Sequence, residues 1–317
     1  MMKKRLWSRW ILALAVVWPF MAAAHDRVRE KENFDFDWKF ILNADDQANA
    51  GMQVSETGWQ DVQLPHDWSI SQNFDPKLSG SNGHLPGGIG WYRKMFRVDK
   101  KDKGRRIAVL FDGIYSRSDV YVNGQHLGFR PYGFCYQEYD LTPYLNYGAE
   151  NVLAVRVNNP LEHDSVARWY TGAGIYRHAW LVKTAEVHVA SYGTYVTTPV
   201  VTAERAEVRV RTSVANEAER TKTLSVRQQI TDGEGRTVVQ SGKQALQVAA
   251  GQTADTEHTL KIPRPQLWDT EHPYLYTLHT AVYDGRKLVD TYETVFGVRT
   301  CEFTPDRGFL LNGKPLK

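Results

Sequence analysis

The sequence predicts an all-β protein made of two sandwiches in succession, and three features predict it. Apolar and polar residues alternate with period two over long stretches, as in Val208, Val210, Thr212 and Val214 or Leu224, Val226, Gln228 and Ile230. Asn-Gly and Asp-Gly pairs, which tolerate positive φ, interrupt such runs in "DVYVNGQHLGF", "ITDGEGRTV" and "VYDGRKLV". No segment past residue 24 sustains a helical period. At 317 residues and 42% hydrophobic side chains, the chain is long enough to bury two cores.

Taken in order, residues 1–24 read as a signal peptide and stand outside the fold. Lys3, Lys4, Arg5 and Arg9 form a basic start, Trp10 to Phe20 an apolar stretch, and Ala22-Ala23-Ala24 the small residues that a signal peptidase cuts after. The apolar stretch falls short of the ~20 residues that a membrane helix needs, and no Cys follows it to take a lipid. Export to the periplasm or the outside is expected, with no membrane association after cleavage. The segment holds four basic residues and no acid. Without it the 39 Lys+Arg become 35, against 36 Asp+Glu, and the formal charge moves from +3 to −1. No basic patch remains to point to nucleic acid.

Residues 25–186 form the expected first sandwich. They are aromatic, rich in Gly and Asn loops, and at about 150 residues suit a jelly roll of eight or more strands. The chain's ten Trp, sixteen Tyr and twelve Phe mainly fill cores, although flat rings also stack on sugar faces. "DVYVNGQHLGF" is the clearest hairpin, and "NVLAVRVNN" follows with the same rhythm. After "RHAWLVKT", near residues 183–190, the composition shifts to Thr, Val, Glu and Arg, with few aromatics before Trp268. Residues 187–302 are accordingly a second, immunoglobulin-like sandwich. The remaining residues, 303–317, hold "GFLLNGKPLK": an apolar run, an Asn-Gly turn and the start of another strand. Cys135 and Cys301 are too few and too far apart for a disulfide framework, so two separate buried thiols are expected.

Few residues invite chemistry. Glu162 and Asp164 in "LEHDS", or Glu138 and Asp140 in "YQEYD", stand two apart and would share a strand face. Such pairs are common on solvated loops, and Asp140 precedes "LTPYL" as the cap of a short turn, so neither pair is assigned a catalytic role. His163 and His178 lack metal-ligand spacing. Neither "GGIG" nor "GAGIYR" opens a helix after a strand, which excludes a phosphate cradle. No metal and no cofactor are expected in this chain.

Six stretches of the first sandwich, however, resemble a known family in both order and spacing. "LPHDWSI" (64–70), "GGIGWYRKMF" (87–96), "DVYVNGQHLG" (119–128), "YDLTPYL" (139–145), "NVLAVRVNN" (151–159) and "RWYTGAGIYRHAWL" (168–181) resemble the amino-terminal sugar-binding domain of family two glycoside hydrolases. "PQLWDTEHPYLYTL" (265–278) and "FGVRTCEF" (296–303) resemble that family's immunoglobulin-like domain, and "GFLLNGKPLK" the hairpin leading into its (β/α)8 catalytic barrel. "LPHDW" and "RWYTGAGIYR" are most similar to the β-galactosidase versions.

The resemblance implies a galactose-binding-like jelly roll, an immunoglobulin-like sandwich, and a lead-in at 303–317 to a barrel beyond Lys317. It also implies a retaining hydrolase of terminal non-reducing β-glycosides, with a carbohydrate substrate as partner. Both catalytic glutamates would stand on barrel strands, so this chain would hold none and be inactive alone. The family's pocket loops match Leu85–Gly90, including Gly87 and Gly88, where bare backbone can approach a ligand, and Arg168-Trp169-Tyr170; Asp67 of "PHDW" is a weaker match. Each has a plainer alternative. Arg168 would stack on a neighbouring ring rather than fork onto sugar hydroxyls, Trp169 would sit in the core, and Asp67, beside His66, would hold its loop by accepting backbone N–H bonds. A free-standing carbohydrate-binding protein and a ligandless structural pair are the competing classes. The final hairpin favours the enzyme, because an exposed apolar edge invites aggregation.

Overall fold

A computed structural model describes residues 28–42, 45–80, 83–160 and 169–316. The signal-peptide reading, Arg168 and the Glu162–Asp164 stretch with His163 lie outside these residues.

The first sandwich contains β1 (Glu30–Asn33), β2 (Trp38–Leu42), β3 (Gln60–Val62), β4 (Gly88–Arg97), β5 (Arg106–Phe111), β6 (Ser118–Val122), β7 (Gln125–Arg130), β8 (Gln137–Asp140), β9 (Glu150–Asn159) and β10 (Ala179–Thr184). They make two antiparallel sheets ordered β1-β10-β5-β8 and β3-β2-β4-β9-β6-β7. Neighbours distant in sequence produce the jelly-roll crossing. Trp38, Trp68, Tyr92, Phe111 and Leu153 fill the space between the sheets, each 1% exposed or less. Strand β4 is apolar on both faces for a reason. Tyr92 points into this core, while Trp91 points outward into a smaller cluster with Ala50, Tyr121 and Ala154. Asn123 and Gly124 turn β6 into β7 at φ +52° and +85°, and the Asn123 side chain accepts from the Val152 amide at 2.8 Å.

The second sandwich contains β11 (Val187–Val201), β12 (Arg205–Asn216), β13 (Lys222–Thr231), β14 (Thr237–Gln240), β15 (Gln244–Val248), β16 (Gln252–Pro263), β17 (Tyr276–Asp284) and β18 (Lys287–Phe296). Its sheets run β11-β12-β16 and β14-β13-β17-β18, with β15 also on β13. The period-two residues of β12 and β13 all point inward, at 2% exposure or less. Two of them are polar and satisfy each other. Gln228 donates to Thr212 Oγ1 at 2.9 Å and accepts from Thr280 Oγ1 at 2.7 Å, a buried layer that divides two apolar clusters.

A meander of β19 (Cys301–Thr304), β20 (Gly308–Leu311) and β21 (Lys314–Pro315) follows. Asn312 pins it to the second sandwich, donating to Trp268 O at 3.0 Å and accepting from Thr300 N at 2.9 Å. Phe303 stays 83% exposed. Both cysteines are free and exposed, contrary to the expected buried thiols. Cys135 sits in the loop between β7 and β8, and Cys301 opens β19, whose first three residues are exposed.

The two sandwiches are joined by charge. Arg29 donates to both oxygens of Asp290, at 3.1 and 2.9 Å, and to Val189 O at 2.5 Å. Asp290 is fully buried and also accepts from the Val189 amide at 2.7 Å. Arg106 of β5 reaches Glu138 at 2.7 Å and, across the junction, Glu217 at 2.8 Å. Among the described residues no helix is long and apolar enough to cross a membrane.

Candidate functional site

Three loops meet at one end of the first sandwich: residues 64–72, 85–90 and 169–175. Trp68 anchors the first, stacked on Phe40 at 5.5 Å with planes 20° apart. This packing requires glycine at position 90, where a Cβ would lie 2.7 Å from Phe40 and 2.8 Å from Trp68. With Trp68 fixed, its neighbour Asp67 is fixed too. One carboxylate oxygen accepts from Ser69 N at 3.0 Å, and the other from the Tyr170 hydroxyl at 2.6 Å. Ser69 Oγ in turn donates to Pro86 O at 2.6 Å, tying in the glycine-rich loop.

The third loop approaches closely because it is built on glycine. Gly172 and Gly174 have φ of +82° and +105°, a Cβ at 172 would sit 3.2 Å from the Asp67 carboxylate, and one at 174 would strike the Tyr92 hydroxyl. Beneath them His66 Nδ1 and the Tyr92 hydroxyl are 2.8 Å apart. Burial holds His66 below the ordinary histidine range and raises Tyr92. Burial and then the bond to Asp67 raise Tyr170 as well. The tyrosines therefore remain hydroxyl donors at neutral pH.

The residues singled out from sequence fall as follows. Asp67 is half-buried with both oxygens engaged, one of them in the backbone bond of the plainer alternative. Gly87 is buried, and Gly88 opens β4 at φ +132° beside Asn159. Trp169 is 62% exposed, which overturns its alternative as a core residue: its loop runs over the sandwich end and leaves the ring uncovered. Sequence reasoning missed Tyr170 as the partner of Asp67, and Tyr92 and Gly174 as the floor. The Gly-x-Gly spacing behind "RWY" is the one signal that pointed there.

The described acidic pair is occupied elsewhere. Glu138 is bound to Arg106 at 2.7 Å, and Asp140 accepts from the Thr142 amide at 2.9 Å and hydroxyl at 2.5 Å. His178 is held by Asp35 at 2.7 Å. Among the described residues no group of three or more His, Cys, Asp or Glu is placed to hold a metal.

Comparison with known proteins matches residues 32–185 to "Glycosyl hydrolases family 2, sugar binding domain" and residues 187–299 to "Glycosyl hydrolases family 2". The chain is 43% identical over 292 residues to the β-galactosidase BoGH2A of Bacteroides ovatus, covering 91% of this chain and 34% of that protein. A β-glucuronidase of Formosa agariphila is 34% identical over 316 residues, covering 91% and 31%. Among solved structures, a glycosyl hydrolase family 2 member from Bacteroides cellulosilyticus superposes with a TM-score of 0.81 at 38% identity, over 90% of this chain and 39% of that one. The chain thus spans about a third of the length of the curated relatives it matches. Jelly roll, immunoglobulin-like sandwich and relatives agree: this chain belongs to family 2 of the glycosyl hydrolases.

Proposed function

We propose that this chain is the amino-terminal, non-catalytic part of an exported, β-galactosidase-like retaining hydrolase that removes terminal non-reducing sugars from β-glycosides. The observation that supports it most is the 43% identity to a β-galactosidase across nearly the whole described region. Retaining cleavage needs two carboxyl groups about 5–5.5 Å apart, one as nucleophile and one as acid/base. Glu138 and Asp140, bound to Arg106 and Thr142, are unsuited to that work. Cleavage in this reading falls to glutamates on a barrel that this segment does not encode. The basic, apolar and small-residue succession at 1–24 supports export.

The first sandwich contributes the rim of the sugar pocket. Asp67 and Tyr170 fix the loops, while Trp169 presents an uncovered ring to the ligand. A β-glucuronidase specificity is the second reading, favoured by the 34% identity to such an enzyme. The test is Trp169→Ala in a polypeptide that includes the catalytic part, assayed on aryl β-galactoside and β-glucuronide. A KM raised several-fold with Tm unchanged is expected, on the preferred sugar. A lowered Tm with unchanged kinetics would overturn the pocket role.

A further inference from the structure

We propose that a second surface, an aromatic platform where the two sandwiches meet, binds a chain of pyranoside sugars. The loop joining β7 to β8 reads "PYGFCY" and turns three rings to solvent: Tyr132 (62% exposed), Phe134 (45%) and Tyr136 (48%). Tyr192, from an irregularity in β11 of the second sandwich, joins them with its ring centroid 4.6 Å from that of Tyr136 and is 54% exposed. Tyr115 and Tyr176 back the group, at 5.0 and 6.3 Å from Phe134. Exposed apolar surface of this extent on one face marks an interaction site.

The platform is rigid before any ligand arrives. Tyr176 donates its hydroxyl to Gly133 O at 2.9 Å, and Arg117 N donates to Pro131 O at 3.3 Å. Gly133 lies so close under Tyr115 that a Cβ would stand 2.5 Å from its ring. Tyr192 has φ +53° and donates its hydroxyl to Asp112 at 3.3 Å. Ordering that costs affinity elsewhere is already done in the fold.

Three observations favour a glycan over a protein as occupant. Five of the six rings are tyrosines, and Pro131 is the one aliphatic side chain that loop 131–136 and Tyr192 add, a small seat for a protein's apolar anchor. The flat faces suit the C–H faces of sugar rings, and the hydroxyls suit their edges. Tyr192 also walls a cleft of about 370 Å³ between the sandwiches, where Lys31, Tyr292 and Glu293 offer polar groups. Finally, five of the six rings lie in the segment matched as a sugar-binding domain. Only the choice of probe rests on the proposed function.

The test is electrophoresis of the purified chain through native gels containing soluble β-1,4-galactan or glucuronoxylan, which present galactose and glucuronate units. Retardation by at least one is expected. Tyr132→Ala or Tyr136→Ala should weaken it about tenfold or more, whereas Tyr136→Phe, which keeps the ring face, should retain most of it. Thermal melts matching the parent establish that the variants fold. No retardation in either gel, or equal retardation of Tyr132→Ala, would overturn the proposal. So would a dimer in sedimentation that Tyr132→Ala dissociates, because a second copy would then own the surface. Retardation that survives while Trp169→Ala leaves the kinetics intact sinks the pocket reading alone.

Discussion

Replacing Arg29 by Met keeps most of the apolar stem but removes the guanidinium from between the sandwiches. Asp290, with none of its side chain exposed, would keep its backbone donors, Val189 N and Thr291 N, and lose both charged contacts at 2.9 and 3.1 Å. Removing one partner of a buried ion pair costs about 3–5 kcal/mol, because the other charge is left in a poor solvent. Urea unfolding measures it twice over. Tryptophan fluorescence reports mainly the first sandwich, which holds Trp38, Trp59, Trp68, Trp91, Trp169 and Trp180, whereas far-UV circular dichroism reports both. Since Arg29 bridges the two, its loss should also separate the two transitions. Asp290→Asn on top of Arg29→Met removes the stranded charge, keeps an acceptor for Val189 N, and should recover at least ~1–2 kcal/mol relative to additivity. A cost below ~1 kcal/mol for Arg29→Met, or strict additivity in the double variant, would refute the reasoning.

Three further outcomes are expected. Tyr170→Phe removes the 2.6 Å donor to Asp67; with both groups partly solvated the cost is about 1 kcal/mol, read as faster amide exchange at Ser69, and unchanged exchange would contradict it. Gly90→Ala should destabilise by about 1–3 kcal/mol in a thermal melt, as its methyl group meets Phe40 and Trp68 below 3 Å; an unshifted melt would mean that Trp68 is not packed there. Burial, reinforced by Arg106 and Arg29, pushes His188 down to about 4. Its folded pKa lies below the unfolded one near 6.5, so this stability is complete above about pH 6.5 and falls by about 3 kcal/mol as pH drops toward 4. His188→Gln should flatten that interval, and an identical slope in both proteins would contradict the assignment.

Much of the scaffold could be read without coordinates because strand periodicity is a property of the backbone. Val208, Val210 and Val214 had to share a face with Thr212, and the burial of all four follows from that geometry. Asn123-Gly124 was equally plain, since few other pairs accept φ of +52° and +85° in succession. The site was less legible. Asp67 and Tyr170 are 103 residues apart, and their bond exists only because Trp68 locks one loop and two glycines let the other approach. Whether a tryptophan beside such glycines faces core or solvent is a matter of loop path, which composition does not encode; hence Trp169 emerged exposed. The same holds for Cys135, carried outward in its loop between Phe134 and Tyr136.

The most direct measurement is a rate. Purified 317-residue chain, incubated with aryl β-galactoside and aryl β-glucuronide, should release aglycone no faster than buffer does. Release above that background, abolished by Glu162→Gln or Asp164→Asn, would mean that these sandwiches cleave glycosides unaided, and the division between a sugar-positioning scaffold and a separate catalytic part would fall.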